Sequence, residues 1–134
     1  MVDTRHTPHV AMLRSPLSRA RGLGSAHAGS AHWWSQRLTA VALVPLTLWF
    51  ICGALRMTGA TRAEVGAWLS SPLPLVLMLA LIAATFYHLQ LGVQVVIEDY
   101  VHREGTKLAA VLLVKAACVV LALACIVAAL KIGL

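Results

Sequence analysis

The stretch that decides the fold is LPLVLMLALIAATFYHLQLGVQVVI at residues 73–97, which holds no lysine, arginine or acidic residue. About 20 apolar residues suffice for a helix to cross the hydrocarbon core of a bilayer, so we predict a membrane-spanning helix here. Ser70-Ser71-Pro72 stands before it, and proline suits the first turn of a helix. The polar segment 98–107 follows, in which Gly105 supplies a turn.

Two further apolar stretches lie on either side of this one. Residues 38–57, LTAVALVPLTLWFICGALRM, and residues 108–130, LAAVLLVKAACVVLALACIVAAL, are each long enough to span a bilayer. Pro45 predicts a kink rather than a break, because neighbouring groups in a membrane can satisfy the freed carbonyl. Lys115 can extend its side chain to the interface. The fold class is therefore an all-α membrane protein with three transmembrane helices, about 38–57, 73–97 and 108–130.

Composition agrees with a membrane protein and indicates an orientation. The chain is 60% hydrophobic and only 12% charged, far from the averages of globular proteins. Residues 1–37 carry five arginines against a single acid, Asp3. We expect residues 1–31 to form a basic cytoplasmic arm and residues 32–134 a three-helix membrane anchor. Lysine and arginine prefer the cytoplasmic side, so the N-terminus is predicted to be cytoplasmic.

The net charge of +6 does not indicate nucleic-acid binding. A nucleic-acid binder spreads basic and aromatic residues over a folded surface, whereas these arginines lie in a tail rich in serine, glycine and alanine. The three cysteines, Cys52, Cys118 and Cys125, fall inside apolar stretches, where cysteine behaves as a small hydrophobe. Their spacing indicates neither a disulfide framework nor a metal site.

His88 is the first candidate functional residue, because it lies deep in the second predicted span. It stands about 15 Å by helical rise from the cytoplasmic end, and an ionisable group at such depth is a functional candidate. A neutral imidazole can ligate haem iron, and Ala84 and Gly92, one turn to either side, leave room for a flat macrocycle. The alternative is a histidine hydrogen-bonded to a neighbouring helix, with the small residues allowing close helix packing.

Asp99 and Tyr100 form a second candidate at the cytoplasmic end of this span. Asp99 shares one helical stripe with His88, and Tyr100 lies about 18 Å from His88 along the axis. A tyrosine hydroxyl can donate a hydrogen bond to a quinone carbonyl, and a nearby carboxylate can orient the donor or relay protons. The alternative is an interfacial tyrosine anchor beside a solvated acid.

His32 and Arg37 precede the first predicted span at the same interface. Arg37 could pair with a haem propionate, since guanidinium binds carboxylates in a bidentate way, or could serve as a positive anchor at the cytoplasmic side.

Together, two motifs resemble the succinate dehydrogenase hydrophobic membrane-anchor family, in its alphaproteobacterial branch. The first is His32-Trp33-Trp34-x-Gln36-Arg37-Leu38-Thr39 before the first span. The second is His88-x3-Gly92-x-Gln94-Val95-Val96-x2-Asp99-Tyr100-Val101-His102 at the end of the second. The resemblance covers residues 15 to about 103. The chain departs from the family pattern at Gln94, which stands five residues before Asp99, whereas the glutamine of the family stands four residues before its aspartate. The resemblance therefore assigns no role to Gln94.

The resemblance implies a complex II component that is not an enzyme by itself. A flavoprotein partner would oxidise succinate, an iron–sulfur partner would carry electrons, and two anchors would hold haem b and complete a ubiquinone site. His88 matches the axial haem ligand, Tyr100 and Asp99 match the ubiquinone site, and Arg37 and His32 match residues near the haem propionates. The second axial histidine would come from the companion cytochrome b anchor. The implied location is the bacterial inner membrane.

Two alternatives remain open on the sequence. The companion anchor also has three spans, but it typically shows a Ser-x2-His-Arg-x-Ser/Thr-Gly motif before its first span and an Arg-His pair after the glycine, and this chain has neither. A non-redox membrane scaffold or transporter accessory protein, in which His88 only packs, is the other. The chain itself carries no flavin-binding glycine motif and no cysteine cluster for iron–sulfur ligation.

Overall fold

The structure is a computed structural model, and the part of the chain that it describes is mostly helical. It describes the backbone of residues 27–134 and side chains from Ser30 onward. The expected basic arm lies almost entirely outside the described residues. The elements in chain order are α1 (His27–Arg56), α2 (Arg62–Leu69), α3 (Pro72–Tyr100) and α4 (Glu104–Gly133).

Three of these helices are long and apolar enough to cross a membrane: Ser30–Arg56 within α1, then α3 and α4. The predicted all-α fold with three transmembrane helices is confirmed. At 1.5 Å per residue α3 is about 43 Å long, which exceeds the hydrocarbon core of roughly 30 Å. Its ends therefore reach the interfaces. Large apolar side chains stay exposed along all three helices, as lipid contact requires: Val41 is 72% exposed and Leu113 is 70% exposed.

The short helix α2 was not among the sequence predictions, which left residues 58–72 without a helix. Its start is a capping box: the Thr61 hydroxyl accepts from the Glu64 backbone N–H at 3.3 Å, and a Glu64 carboxylate oxygen accepts from the Thr61 backbone N–H at 2.7 Å. Such a box satisfies two otherwise unpaired donors of the first turn. Gly59, with φ of +84°, supplies the left-handed turn between α1 and α2.

Few of the described side chains are buried, and they lie on α2, α3 and α4. They are Leu69, Leu91, Cys118 and Ala129. The helices α3 and α4 pack along one another as an antiparallel hairpin joined by residues 101–103. The turn expected at Gly105 is wrong, because this glycine lies in the first turn of α4. Cys118 packs inside the protein, whereas Cys52 and Cys125 are exposed. These contacts all lie within the unit His32–Leu134.

Candidate functional site around His88

His88 lies on α3, partly buried, in the middle of a helix that spans the membrane. It precedes the end of the helix at Tyr100 by about 18 Å of helical rise, which puts the ring well inside the hydrocarbon layer. Polar groups at that depth require partners, because lipid supplies none.

One ring nitrogen of His88 has such a partner on α1. The His88 Nδ1 atom lies 2.8 Å from the Thr39 hydroxyl oxygen. The same hydroxyl lies 2.8 Å from the carbonyl oxygen of Ser35 and 3.0 Å from that of Gln36. The interhelical hydrogen bond that the sequence left open therefore exists, at Nδ1. No described residue makes a hydrogen bond with Nε2, so that atom remains available for another partner.

Thr39 belongs to a polar stripe on α1, which consists of His32, Ser35, Gln36 and Thr39. Their spacing of three, four and seven residues puts them on one face of the helix. Two buried atoms of this stripe, His32 Nε2 and Gln36 Oε1, have no hydrogen-bond partner among the described residues. Buried polar atoms without a partner are rare, so they mark a place where a ligand or another protein chain can contribute the missing group.

Gly92 lies where α3 faces this stripe. A Cβ atom at Gly92 would lie 3.6 Å from the side-chain nitrogen of Gln36. The space beside Gly92 is therefore taken by Gln36, and the glycine permits a contact between α1 and α3. This favours, at Gly92, the helix-packing alternative over the expectation of room for a macrocycle.

Arg37 lies away from His88 and the polar stripe. Its guanidinium carbon is 5.3 Å from the centroid of the Trp33 ring, a cation–π distance. The side chain is exposed. The structure thus brings Thr39 to His88 and leaves Arg37 on a different face of α1.

Asp99 and Tyr100 end α3 with exposed side chains, and the tyrosine is 78% exposed. Neither side chain forms a hydrogen bond with a described residue. The nearby Gln94 is occupied, because its amide nitrogen donates to a Glu98 carboxylate oxygen at 2.7 Å. The end of α3 therefore presents an unengaged phenol and an unengaged carboxylate side by side in sequence.

Thr39 and Gln36 were not predicted as members of the site, although both stood in the quoted motif. The sequence signal for them is the helical spacing of the polar residues from His32 to Thr39, which extends a polar face into the start of an otherwise apolar helix. Within residues 27–134, no three His, Cys, Asp or Glu side chains cluster as a metal site. A single imidazole nitrogen, such as Nε2 of His88, can in general ligate iron without such a cluster.

Comparisons with known proteins place the chain in a family. Residues 12–122 match the family described as succinate dehydrogenase/fumarate reductase transmembrane subunit. No solved structure matches the chain.

Among its relatives is a succinate dehydrogenase hydrophobic membrane anchor subunit of Rickettsia bellii, 38% identical over 66% of this chain and 70% of the relative. Proteins of the same name from Rickettsia conorii and Paracoccus denitrificans are 31% and 33% identical, over 86% and 73% of this chain and 92% and 75% of the relatives. Three spanning helices and these bacterial relatives make it a multi-pass protein of the bacterial inner membrane. The chain belongs to the succinate dehydrogenase/fumarate reductase transmembrane subunit family.

Proposed function

We propose that the chain is a membrane-anchor subunit of succinate:ubiquinone oxidoreductase. It attaches the flavoprotein and iron–sulfur subunits to the membrane, shares a haem b with a companion anchor, and helps form the ubiquinone-reduction site. The relatives' name, succinate dehydrogenase hydrophobic membrane anchor subunit, supports the anchor role. The observation that carries the redox role is that the Nε2 atom of His88, at membrane depth, has no partner in the described part of the chain.

The donor set of this chain fits a haem. A neutral imidazole ligates iron through one ring nitrogen while the other nitrogen is held by a hydrogen bond. His88 has that arrangement, with Nδ1 held by Thr39 and Nε2 without a hydrogen bond to any residue of 30–134. A bound haem would supply one-electron chemistry within the membrane, and His88 would hold it together with a residue of the companion anchor.

His32 and Arg37 are the candidates for the haem propionates. His32 Nε2 is buried with no hydrogen-bond partner among the described residues, and in the tautomer that carries its proton there it can donate to a carboxylate. Arg37 can offer a guanidinium fork, which in this structure lies over Trp33. Of the two, His32 is the stronger candidate, because its unpaired buried atom shares the polar stripe with Thr39.

Tyr100 and Asp99 would serve the quinone at the end of α3. The Tyr100 hydroxyl would donate a hydrogen bond to a ubiquinone oxygen, and Asp99 would orient the donor or pass a proton. Both side chains are exposed and unengaged, as groups that complete a pocket with other subunits must be. Succinate oxidation would take place in the flavoprotein, so this chain contributes to the reaction only within the complex.

The alternative function, a non-redox scaffold or transporter accessory protein, is favoured by one observation. The bond from His88 Nδ1 to Thr39 gives the histidine a role in helix packing without any cofactor. A test must therefore separate ligation from packing.

The test is the absorption spectrum of the purified complex carrying His88→Ala. We expect the haem b bands to disappear while the subunits remain assembled. His102→Ala is the matched control, because His102 is exposed in the segment between α3 and α4. The complex that carries this variant should keep its haem b bands. An assembled His88→Ala complex with an unchanged haem spectrum would overturn the proposed ligation.

A further inference from the structure

The proton of the Thr39 hydroxyl has a defined direction. Carbonyl oxygens accept hydrogen bonds and cannot donate them. The hydroxyl oxygen lies 2.8 Å from the Ser35 carbonyl oxygen and 3.0 Å from the Gln36 carbonyl oxygen. Its single proton therefore points into its own helix, toward these two acceptors. Threonine commonly makes this bond to the preceding turn of a helix.

The His88 ring must then be the donor in the bond between α1 and α3. With its own proton engaged, the Thr39 oxygen can only accept from Nδ1, which lies 2.8 Å away. The reverse arrangement would set hydroxyl lone pairs against two carbonyl oxygens at 2.8 and 3.0 Å, in surroundings of low dielectric that strengthen the repulsion. A neutral imidazole carries one N–H, so Nε2 holds the lone pair.

We propose that Thr39 is a positioning residue for the haem ligand, which it orients and holds in the tautomer that binds iron through Nε2. This inference rests on the proposed ligation of haem by His88. A histidine that donates the N–H of its non-ligating ring nitrogen to an acceptor is a more basic ligand, and such partners commonly matter about 10–100-fold for metal affinity. A more basic ligand favours ferric over ferrous iron and thus lowers the midpoint potential.

The acceptor lies on a different helix from the ligand, and this gives the contact a second consequence. Thr39 is on α1, near Gln36, whose side-chain nitrogen would lie 3.6 Å from a Cβ atom at Gly92 on α3. The packing of α1 on α3 therefore fixes where the acceptor stands relative to the His88 ring. Haem retention and potential depend on that packing through one hydroxyl group.

The experiment compares Thr39→Val and Thr39→Ser in the fully assembled complex. Valine keeps the branched shape and removes the hydroxyl, whereas serine keeps the hydroxyl and removes the methyl group. The measurements are haem content, the rate of haem transfer to excess apomyoglobin, and the midpoint potential. We expect Thr39→Val to lose haem about tenfold faster and to shift the potential upward, while Thr39→Ser stays close to the unmodified complex. Thr39→Ala replaces the valine variant if that one does not assemble.

Two results would overturn the role of Thr39. One is a hydroxyl-free variant with unchanged haem loss and unchanged potential. The other is an equal change in the serine and hydroxyl-free variants, which would assign the effect to altered packing at this position and not to loss of the hydroxyl. His88→Ala, measured beside them, tests the ligation alone, and retained haem in that variant refutes the proposed function. If His88→Ala loses haem while the hydroxyl-free Thr39 variants behave like the unmodified complex, only this inference is refuted.

Discussion

The indole rings of Trp49 and Trp68 stack with their centroids 5.6 Å apart and their planes 20° apart. The pair joins the second half of α1 to the short helix α2. Gly53, one turn after Trp49, lies against the same ring: a Cβ atom there would be 3.0 Å from Cζ2 of Trp68. The position of α2 on α1 thus depends on a stacked ring and on the absence of a side chain beside it.

Gly53→Ala should destabilise this junction. A Cβ atom at 3.0 Å from a rigid indole forces the ring to move, and overpacking of this kind typically costs about 1–3 kcal/mol. The better helix propensity of alanine offsets about 1 kcal/mol, so we expect a net loss of about 1 kcal/mol. Gly105→Ala is the control, because nothing lies within 4 Å of its Cβ position. Denaturant unfolding of the purified protein in detergent measures both, and equal stabilities would contradict the prediction.

The start of α2 should depend on pH through Glu64. The Thr61 backbone N–H and, to a smaller extent, the Thr61 hydroxyl donate to the Glu64 carboxylate and lower its pKa from the ordinary value of 4.5. A lowered pKa in the folded state stabilises the helix at pH above that ordinary value, and the contribution disappears as the pH falls through the folded value. Corrected hydrogen-exchange protection of residues 62–69 should therefore decrease below pH 4.5.

Glu64→Gln serves as the control for this pH dependence. The amide does not titrate in this range, so protection of residues 62–69 should be weaker at neutral pH and should not change further on acidification. If the variant and the unmodified protein lost protection in parallel, another group would be responsible.

The membrane spans could be predicted because lipid imposes a simple rule on sequence. A chain in hydrocarbon must pair its backbone groups internally and present apolar side chains, and residues 73–97 satisfy both conditions as a helix. The ends of the helices were predicted less accurately than the spans. The helix α3 extends to Tyr100, beyond the predicted end at residue 97, because Glu98 and Asp99 can continue a helix outside the hydrocarbon layer. The start of α2 carries a sequence signal of its own, because Thr61 followed three residues later by Glu64 is the pattern of a capping box.

The contact of Thr39 with His88 could not be predicted, although both residues were in view. It depends on how α1 rotates about its axis and on its height beside α3, and hydropathy fixes neither when most faces of a helix are apolar. For the same reason, the surroundings of Gly92 could not be predicted. Its lack of a side chain indicated free space, but only the packing of α1 shows that Gln36 lies there.

The end of α4 offers a second test of close packing. A Cβ atom at Gly133 would lie 3.0 Å from Cδ1 of Leu75 and 3.1 Å from the carbonyl oxygen of Leu69. The second neighbour is backbone and cannot turn aside, so Gly133→Ala should loosen the contact of α4 with α2 and α3 by about 1–3 kcal/mol. Faster hydrogen exchange at residues 128–134 would report it.

Gly66→Ala is the matched control at the same end of the molecule. Its Cβ would meet only the Ile132 carbonyl oxygen at 3.9 Å, an ordinary contact distance. We expect unchanged exchange in residues 128–134 for this variant. Loosening of the same size in both variants would show that the contact is not specific to Gly133.

Tyr100→Phe tests the quinone role without disturbing the fold. The Tyr100 hydroxyl has no partner in the described chain, and its ring is 78% exposed, so removing one oxygen atom leaves the packing of α3 intact. A lost hydrogen bond to a neutral acceptor is worth about 0.5–1.5 kcal/mol, so succinate–ubiquinone reductase activity should fall by up to about tenfold. Succinate oxidation by a soluble dye, which bypasses the membrane site, should remain near its original rate.

Tyr87→Phe provides the comparison that separates a quinone contact from a general effect on the helix. Tyr87 lies on the same helix, about 20 Å away along its axis. It lines a groove of about 220 Å³ between α3 and α4. Its hydroxyl, like that of Tyr100, has no hydrogen-bond partner among the described residues. We expect both activities of this variant to match those of the unmodified complex. A drop in dye-linked and quinone-linked activity together in Tyr100→Phe would point to faulty assembly, because a contact with the quinone alone would lower only the quinone-linked activity.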